Sequence, residues 1–464
     1  MTHYDLLVVG AGPGGYVAAI RGAQLGLKTA VIEKQHLGGI CLNWGCIPTK
    51  ALLKGAQVAH TIAGASRYGF NVGDVSFDIA QLVRHSRAVS EQLAAGVDYL
   101  LKKHAVDIIR GTARMTGKCQ LAVTQGNDSS AYSADHIILA TGARPRVLPG
   151  VVPDGEQIWS CADAMVPDTL PESLLVIGSG AIGVEFASLY SDLGSKVILV
   201  EALDAVLPAE DSDICAYAHK QFENRGIEIH VATQVESVSK TEDSISCRLI
   251  DKQGNIEERT VDKVLVSVGV QGNIEDLGLE ELGAKIEHSF ICTDQWSRTN
   301  VVGLYAIGDV AGPPCLAHKA SHEAVICVEK LAGVAGVRPL AEQNIPRCTY
   351  GRPQVASIGR TERALKAQGI AYKTGQFSFS ANGKALAIAE DAGFVKVLFD
   401  SNSGELLGAH MIGSEVTEQI QGFSLVQALE GTEEEILHAI IAHPTLTEAM
   451  HEAILDACGK AIHH

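Results

Sequence analysis

Up to about Ile345 the apolar residues come in short unbroken runs that end in glycine; beyond it they are interleaved with polar ones. The stretch from Asp5 to Val9 reads as a strand buried on both faces, because an apolar run without alternation suits a parallel sheet covered by helices. A turn from Gly10 to Gly15, a small-residue helix through Gly26 and a second strand from Lys28 to Glu33 follow. The same order recurs as Leu174 to Ile177, Gly178 to Gly183, a helix from Val184 to Leu193 and a strand from Lys196 to Glu201. The copies are in register, since 33 − 10 and 201 − 178 both give 23 positions. Further strands are expected from His136 to Leu139, Val264 to Gly269 and within Thr299 to Asp309. Pro145 and Pro149 mark a linker, which puts a boundary near Gly150. Past Ile345, the runs Val355 to Ile358, Phe394 to Phe399 and Glu405 to Ile412 read as antiparallel strands, with turns at Asn382-Gly383 and Ser403-Gly404. Helices are expected over roughly 415–429, 433–441 and 447–459. The fold class is therefore α/β, with two dinucleotide-binding units and a C-terminal α+β domain.

A chain of 464 residues has room for three or four such domains. Its net charge of −17 argues against nucleic acid or an anionic membrane as partner. No apolar run approaches membrane-spanning length. The first strand opens by Asp5, so no leader peptide is expected. The Glu433-Glu434-Glu435 run reads as the solvated first turn of a helix. Eleven cysteines, an odd number scattered along the chain, point to a reducing compartment, the cytoplasm. Nine of them (Cys119, Cys161, Cys215, Cys247, Cys292, Cys315, Cys327, Cys348 and Cys458) are expected to be packing residues.

The remaining two, Cys41 and Cys46, lie in CLNWGCIPTK, just after the first nucleotide unit. Pro48 is tolerated in a helix only in the first turn, so a helix should begin near Ile47 or Pro48 with Cys46 at its positive end, which favours a thiolate. A reversible disulfide, a zinc half-site and two buried thiols all suit the spacing. No second cysteine pair or Cys/His cluster completes a zinc site, and no metal is expected. Gly10, Gly12 and Gly15, and again Gly178, Gly180 and Gly183, form GxGxxG turns between strand and helix, as close approach of a pyrophosphate requires. Two such turns imply two dinucleotides. Glu33 and Glu201 end the second strands, where a carboxylate accepts from ribose hydroxyls. No arginine stands in Ala202-Leu203-Asp204-Ala205 to receive a 2′-phosphate, so NAD is expected over NADP. Asp309 ends an apolar strand, either as a ligand-binding carboxylate or as an N-cap. His443, held extended by Pro444, has Glu448 five residues on, the spacing of a base and its orienting partner; Thr445-x-x-Glu448 is equally a capping box.

Together these pieces resemble the dihydrolipoamide-oxidising branch of the flavin-dependent pyridine nucleotide-disulfide oxidoreductase family, over essentially the whole chain. The matching segments are Gly10–Gly15, Cys41–Lys50, Ala140–Gly142, Gly178–Glu185 with Glu201, Tyr305–Asp309, Leu316–Lys319, Ser380–Ala385 and His443–Glu448. The resemblance implies FAD and NAD as cofactors. FAD would contact Gly10, Gly12, Gly15, Glu33, Lys50 (paired with Glu185), Ala113, Thr141, Gly142, Ala143, Asp309, Cys315, Leu316, Ala317 and His318. The helix that includes His318 would aim its positive end at the flavin. NAD would lie on Gly178, Gly180, Gly183, Glu185, Glu201, Val235 and Gly269. Cys41 would exchange with substrate, Cys46 would face the flavin, and His443 with Glu448 would come from the other subunit of a homodimer. The implied division is 1–149 for FAD and the disulfide, 150–270 for NAD, 271–344 as a central domain completing the FAD site, and 345–464 for dimerisation. The implied partner is a lipoylated acyltransferase or carrier protein of a multienzyme complex. The chain departs from the pattern at Val270-Gln271-Gly272-Asn273, where many relatives carry Arg, and at Tyr350-Gly351-Arg352-Pro353-Gln354. Glutathione reductases are similar, but their NADP preference conflicts with Glu201 and Gly183. Mercuric reductases end in a vicinal cysteine pair, and soluble transhydrogenases lack one of the two thiols. A non-catalytic redox sensor would need no base at His443.

Overall fold

Leu6, Leu7 and Val8 are wholly buried because alternate residues of their strand enter different cores. Leu7 and Val9 pack with Ile32, Ile137 and Leu139, while Leu6 and Val8 pack with Ala18, Val31 and Leu101. That two-sided burial explains a continuous apolar run, each fully buried large side chain contributing about 1.5–3 kcal/mol. In the computed structural model, which describes residues 1–463, this strand, Thr2–Val9, lies between Thr29–Glu33 and Asp128–Leu139, all parallel. Asp107–Arg110 flanks the former and Leu304–Ala306 the latter, also parallel. The long strand Asp128–Leu139 continues into an antiparallel meander with Gln120–Gln125 and Thr112–Gly117. Four helices belong to the N-terminal region: α1 (Pro13–Gln24), α2 (Gly39–Trp44), α3 (Cys46–Ala63) and α4 (Ile79–Lys103).

The chain forms two units, each assembled from separated segments. The first comprises Met1–Leu52, Asp78–Arg146 and Gly269–Leu340; the second comprises Leu53–Phe77, Val147–Val268 and the chain from Ala341 on. In the second unit, Ser173–Ile177 sits between Lys196–Val200 and Lys263–Val266 in a parallel sheet, beside an antiparallel trio Thr233–Lys240, Ile245–Asp251 and Ile256–Val261. The C-terminal sheet runs in the order Arg347–Thr349, Gln354–Gly359, Leu406–Gly413, Phe394–Asp400, Tyr372–Ser378. Helix Glu448–Ala457 packs on the last of these at Gly375, where a Cβ would lie 2.1 Å from the Ala453 oxygen.

Several expected elements differ. Asn382-Gly383 is not a turn: the Asn382 side chain caps the short helix Gly383–Ala387 by accepting from Ala385 N at 2.9 Å. The helix expected over 415–429 breaks into Val416–Gln419 and Gln421–Ala428, and the next one stops at His438. Glu435 closes a capping box with Thr432, whereas Glu433 turns inward to Lys373 instead of into solvent. Among the nine other cysteines, Cys215, Cys247 and Cys327 are buried and the remaining six are partly exposed.

Lys396 is 2% exposed and donates to Asp211, Asp213 and Glu362 at 2.8, 2.6 and 2.7 Å. Its ammonium fills the one group of three potential metal ligands among the described residues. Lys366 and then Lys396 hold the Glu362 carboxyl down at about 2, from a usual 4.5. Burial, the largest single influence, would raise Asp211, but the bonds from Lys396 and the Glu362 amide, with the nearby positive charges, together lower the carboxyl. Both carboxyls titrate below their unfolded values. Their stabilisation is thus complete above about pH 4.5 and fades as the pH falls towards 2. Lys396→Ala leaves three carboxylates facing one another and is expected to destabilise the second unit by about 3–5 kcal/mol, with a weaker dependence on acid pH. Urea unfolding between pH 3 and 7 checks this; wild-type stability and acid sensitivity in the variant would contradict it.

Candidate active site

Cys41 lies on α2 and Cys46 is the first residue of α3, with Gly45 alone between the two helices. The helix thus begins one residue before the earliest expected start, and Cys46 itself occupies the positive end, with Pro48 in the first turn. The thiols are in contact: a hydrogen bond with Cys46 is the largest cause raising the Cys41 pKa, burial the second, and Lys50 acts the other way. Among the described residues no third His, Cys, Asp or Glu joins the pair in a cluster of potential metal ligands. Two apposed thiols at a helix start can close and reopen a disulfide.

The two GxGxxG turns are built alike. Gly10 has φ +99° and a Cβ there would lie 2.3 Å from the Ala140 oxygen; Gly178 has φ +98° and would meet the Ser267 oxygen at 2.5 Å. A Cβ on Gly15 would lie 1.8 Å from the Gly10 oxygen, and one on Gly183 1.9 Å from the Gly178 oxygen. Gly12 and Gly180 are different. A Cβ on Gly12 meets nothing nearer than 3.9 Å, and one on Gly180 meets nothing within 4 Å. The outer glycines serve protein packing. The middle ones border open space beside a helix N-terminus, the place a pyrophosphate takes. Both cradles therefore fit a dinucleotide. The carboxylates repeat as well. Glu33 accepts from Ala11 N and Gln35 N, both at 2.8 Å, and Glu201 accepts from Ser179 N and Leu203 N, both at 2.8 Å. Each pair of partners is offset by 168, as are the glycines. Val235 lies on Thr233–Lys240 in the second unit, while Gly269 opens the last segment of the first. Glu185 is buried in helix Ala181–Asp192 and accepts from Tyr350 N at 2.9 Å.

Around the first cradle the other expected residues are fixed by partners that sequence reading passed over. Ala113 is buried on the meander strand Thr112–Gly117. Thr141 and Gly142 are held by Asn273, whose Nδ2 donates to Thr141 O at 2.8 Å and whose backbone N donates to Gly142 O at 2.9 Å. Ala143 pairs with Gly272. The departure at 270–273 is thus a strand that clamps this loop. Asp309 lies in a short turn, Gly308–Ala311, and does not cap the following helix, Ala317–Leu331, whose N-cap is Leu316. Burial raises the Asp309 carboxyl, opposed by Lys319. Glu323 ties this turn to the helix by accepting from Gly308 N at 2.7 Å and Lys319 Nζ at 2.9 Å. The i, i+4 spacing of Lys319 and Glu323 was a readable signal. Burial pushes the Cys315 thiol up to about 12, so it stays protonated beside Leu316, Ala317 and His318 at a helix start with no side-chain cap.

In the second unit His443 Nδ1 lies 2.9 Å from Glu448 Oε1, and the imidazole is 77% exposed. Glu448 Oε2 accepts from Thr445 N at 2.8 Å, while Thr445 Oγ1 donates to Ala442 O. Half of the expected capping box is present, and the same carboxylate holds the histidine. Burial would raise Glu448, but the bonds from Thr445 and His443 lower it. Asn382 Nδ2 braces the loop by donating to Thr445 O at 3.1 Å.

The chain is similar to known proteins over nearly its whole length. Residues 4–324 match the family model for pyridine nucleotide-disulphide oxidoreductases, and 345–454 match that for their dimerisation domain. The chain is 51% identical to a dihydrolipoyl dehydrogenase of Rhizobium etli and 50% identical to one of Zymomonas mobilis, covering 99% of both chains in each case. It is 42% identical to the Bacillus subtilis dihydrolipoyl dehydrogenase, over 100% of this chain and 99% of that one. Among solved structures it is similar to LpdA from Mycobacterium tuberculosis, with a TM-score of 0.90 at 26% identity over 98% of this chain and 99% of that one. It is also similar to the HOCl-induced flavoprotein disulfide reductase RclA from Escherichia coli in its Cu(II) complex, with a TM-score of 0.87 at 25% identity over 98% and 99%.

The glycines separate packing from binding. Gly12→Ala is expected to keep the fold and melting temperature yet lose most bound FAD, whereas Gly15→Ala loses both. Flavin absorbance and circular dichroism of the purified variants check this; full flavin content in Gly12→Ala would show that the open space is not the pyrophosphate site.

Proposed function

Because the chain belongs to the pyridine nucleotide-disulphide oxidoreductase family, we propose that it works as a dihydrolipoyl dehydrogenase, oxidising protein-bound dihydrolipoamide to lipoamide and reducing NAD+ to NADH. The observation that carries this reading is the apposed Cys41–Cys46 pair at a helix start, in the same unit as a dinucleotide cradle. In the oxidised protein a dihydrolipoamide thiolate attacks Cys41. The Cys41–Cys46 bond breaks, a mixed disulfide forms at Cys41, and Cys46 leaves as a thiolate favoured by the helix N-terminus. The second substrate sulfur then displaces Cys41, closes the lipoamide ring and leaves two electrons on the cysteine pair. His443 takes the substrate proton at Nε2, because its Nδ1 is engaged by Glu448. Glu448, pinned by the Thr445 amide, orients the ring and stabilises the imidazolium. FAD bound there would supply the redox chemistry that links the two-electron oxidation of the dithiol to hydride reduction of NAD+. Gly10, Gly12, Gly15, Glu33, Lys50, Ala113, Thr141–Ala143, Asp309 and Cys315–His318 would hold FAD, and Gly178–Glu185, Glu201, Val235 and Gly269 would hold NAD.

The match to the dimerisation model covers His443 and Glu448, and His443 is largely exposed. Both facts support a homodimer in which this pair serves the dithiol of the partner subunit. The four-part division at 150, 271 and 345 follows from these roles. The lipoyl group arrives on an acyltransferase or carrier protein of a 2-oxoacid dehydrogenase-type complex, and the odd number of cysteines supports a cytoplasmic setting. No helix among the described residues is long and apolar enough to cross a membrane.

His443→Gln is expected to slow dihydrolipoamide-dependent NAD+ reduction by about 10²- to 10⁴-fold with FAD retained. Cys41→Ser should be equally inactive. Mixed dimers of the two variants then decide where the base comes from: activity returns in about one site of two if the base acts across the dimer, and stays absent if it acts within one chain. Near-normal turnover in His443→Gln would remove that residue from the mechanism.

A further inference from the structure

Helix α4 had no signal in the sequence reading, yet it reaches the peptide between the two cysteines. Ser86 and Ser90 are wholly buried on its inner face, small enough to let α2 approach. Between them Arg87 lays its guanidinium over the Trp44 ring, 4.1 Å from the centroid, and donates to Asn43 O. That carbonyl belongs to the last turn of α2, where helix carbonyls lack helical partners and a cation is favoured. The Asn43 side chain, itself buried, closes the same helix from the other end by donating to Gly39 O at 2.8 Å and Leu37 O at 3.0 Å. Burial lowers the Arg87 pKa, opposed by Glu91, which is the signature of a guanidinium drawn out of water to make these contacts.

We propose that Arg87 is a positioning residue of the dithiol, clamping the Asn43–Trp44 segment so that Cys41 and Cys46 stay within disulfide-forming reach. The proposal rests on the reading of those cysteines as a redox pair. Four residues separate the two thiols, and a disulfide demands Cα atoms roughly 4.4–6.8 Å apart. Arg87 fixes two of the four by stacking and by one charge-assisted bond. A held loop raises the effective concentration of one thiol at the other, which favours the disulfide in competition with any external dithiol. Lys50, not Arg87, is the cation that acts on Cys41, so the contribution of Arg87 is geometric.

The test equilibrates flavin-loaded protein with dithiothreitol redox buffers. Alkylation and peptide mapping then count the free thiols at Cys41 and Cys46, and flavin content and melting temperature serve as controls. Arg87→Met should move the equilibrium towards the dithiol by about three- to tenfold. Arg87→Lys, which keeps the charge but not the planar fork, should remain shifted. An unchanged ratio in Arg87→Met overturns the proposal, and so does a shift towards the disulfide. Should Arg87→Met lose its flavin, the Trp44 variants decide: a shift in Trp44→Val but not in Trp44→Phe supports the clamp, and no shift in either overturns it. A wild-type protein whose Cys41 and Cys46 never form a disulfide would instead overturn the redox reading itself.

Discussion

A helix start facing a group that carries or develops charge is the arrangement on which this protein depends, and it is built three times, twice against the end of a strand. At Gly10–Gly15 and at Gly178–Gly183 a backbone oxygen lies where a Cβ would be, so only glycine lets the helix settle onto the strand. At Cys46 the same kind of helix end faces a second thiol instead of a phosphate. Each case presents unsatisfied amides and a positive dipole end to a group that carries or develops negative charge. The dinucleotide cradles and the dithiol are thus variations on one electrostatic device, and their order along the chain follows from the strand, turn and helix that build it.

The base is arranged with similar economy. Thr445-x-x-Glu448 admits two readings, a helix cap or the orienting partner of His443, and the structure makes half of the first and the whole of the second from one carboxylate with two oxygens. Oε2 is anchored by a backbone amide, which stops the carboxylate from rotating, and only then can Oε1 fix the imidazole tautomer. Asn382 performs the corresponding task one layer out, its oxygen capping Gly383–Ala387 and its nitrogen bracing Thr445. Local backbone chemistry and the placement of His443 do not compete here, because the bond from the Thr445 amide is what holds the Glu448 carboxylate still.

Elements carried by unbroken apolar runs or by glycine punctuation were legible, and those that balance polar and apolar residues were not. The strands Thr2–Val9 and Ser173–Ile177 and both cradles were readable because two-sided burial leaves no room for polar residues. Helix α4 was invisible because two of its four buried positions are serines, which a hydrophobic pattern counts as surface. The meander Thr112–Gly117 and Gln120–Gln125 does alternate, with Ala113, Met115, Leu121 and Val123 inward, but each run is short and flanked by polar residues. Candidate site residues with distinctive motifs were readable one by one. The groups that hold them were less so: Asn273 and Arg87 act on carbonyls far off in sequence, and the spacing of Glu323 to Lys319 does not reveal the Gly308 amide that it also holds.

In the proposed reading, the network that holds Glu201 sets the choice of cofactor. Its three bonds, from Ser179 N, Ser179 Oγ and Leu203 N, leave the carboxylate no freedom to swing aside. Oε2 takes both Ser179 bonds, while Oε1, which accepts from Leu203 N alone, keeps a lone pair for a ribose hydroxyl, which can donate. A 2′-phosphate has no proton to offer at neutral pH and would bring a second negative charge against an immobile first one. With no arginine among Ala202, Leu203, Asp204 and Ala205 to neutralise it, the repulsion has no relief, and the unphosphorylated nicotinamide dinucleotide would be the one this strand end accepts. The same three-residue geometry at Glu33 makes the first cradle equally suited to an adenosine ribose, so one arrangement of amides and carboxylate, used twice, serves two different cofactors.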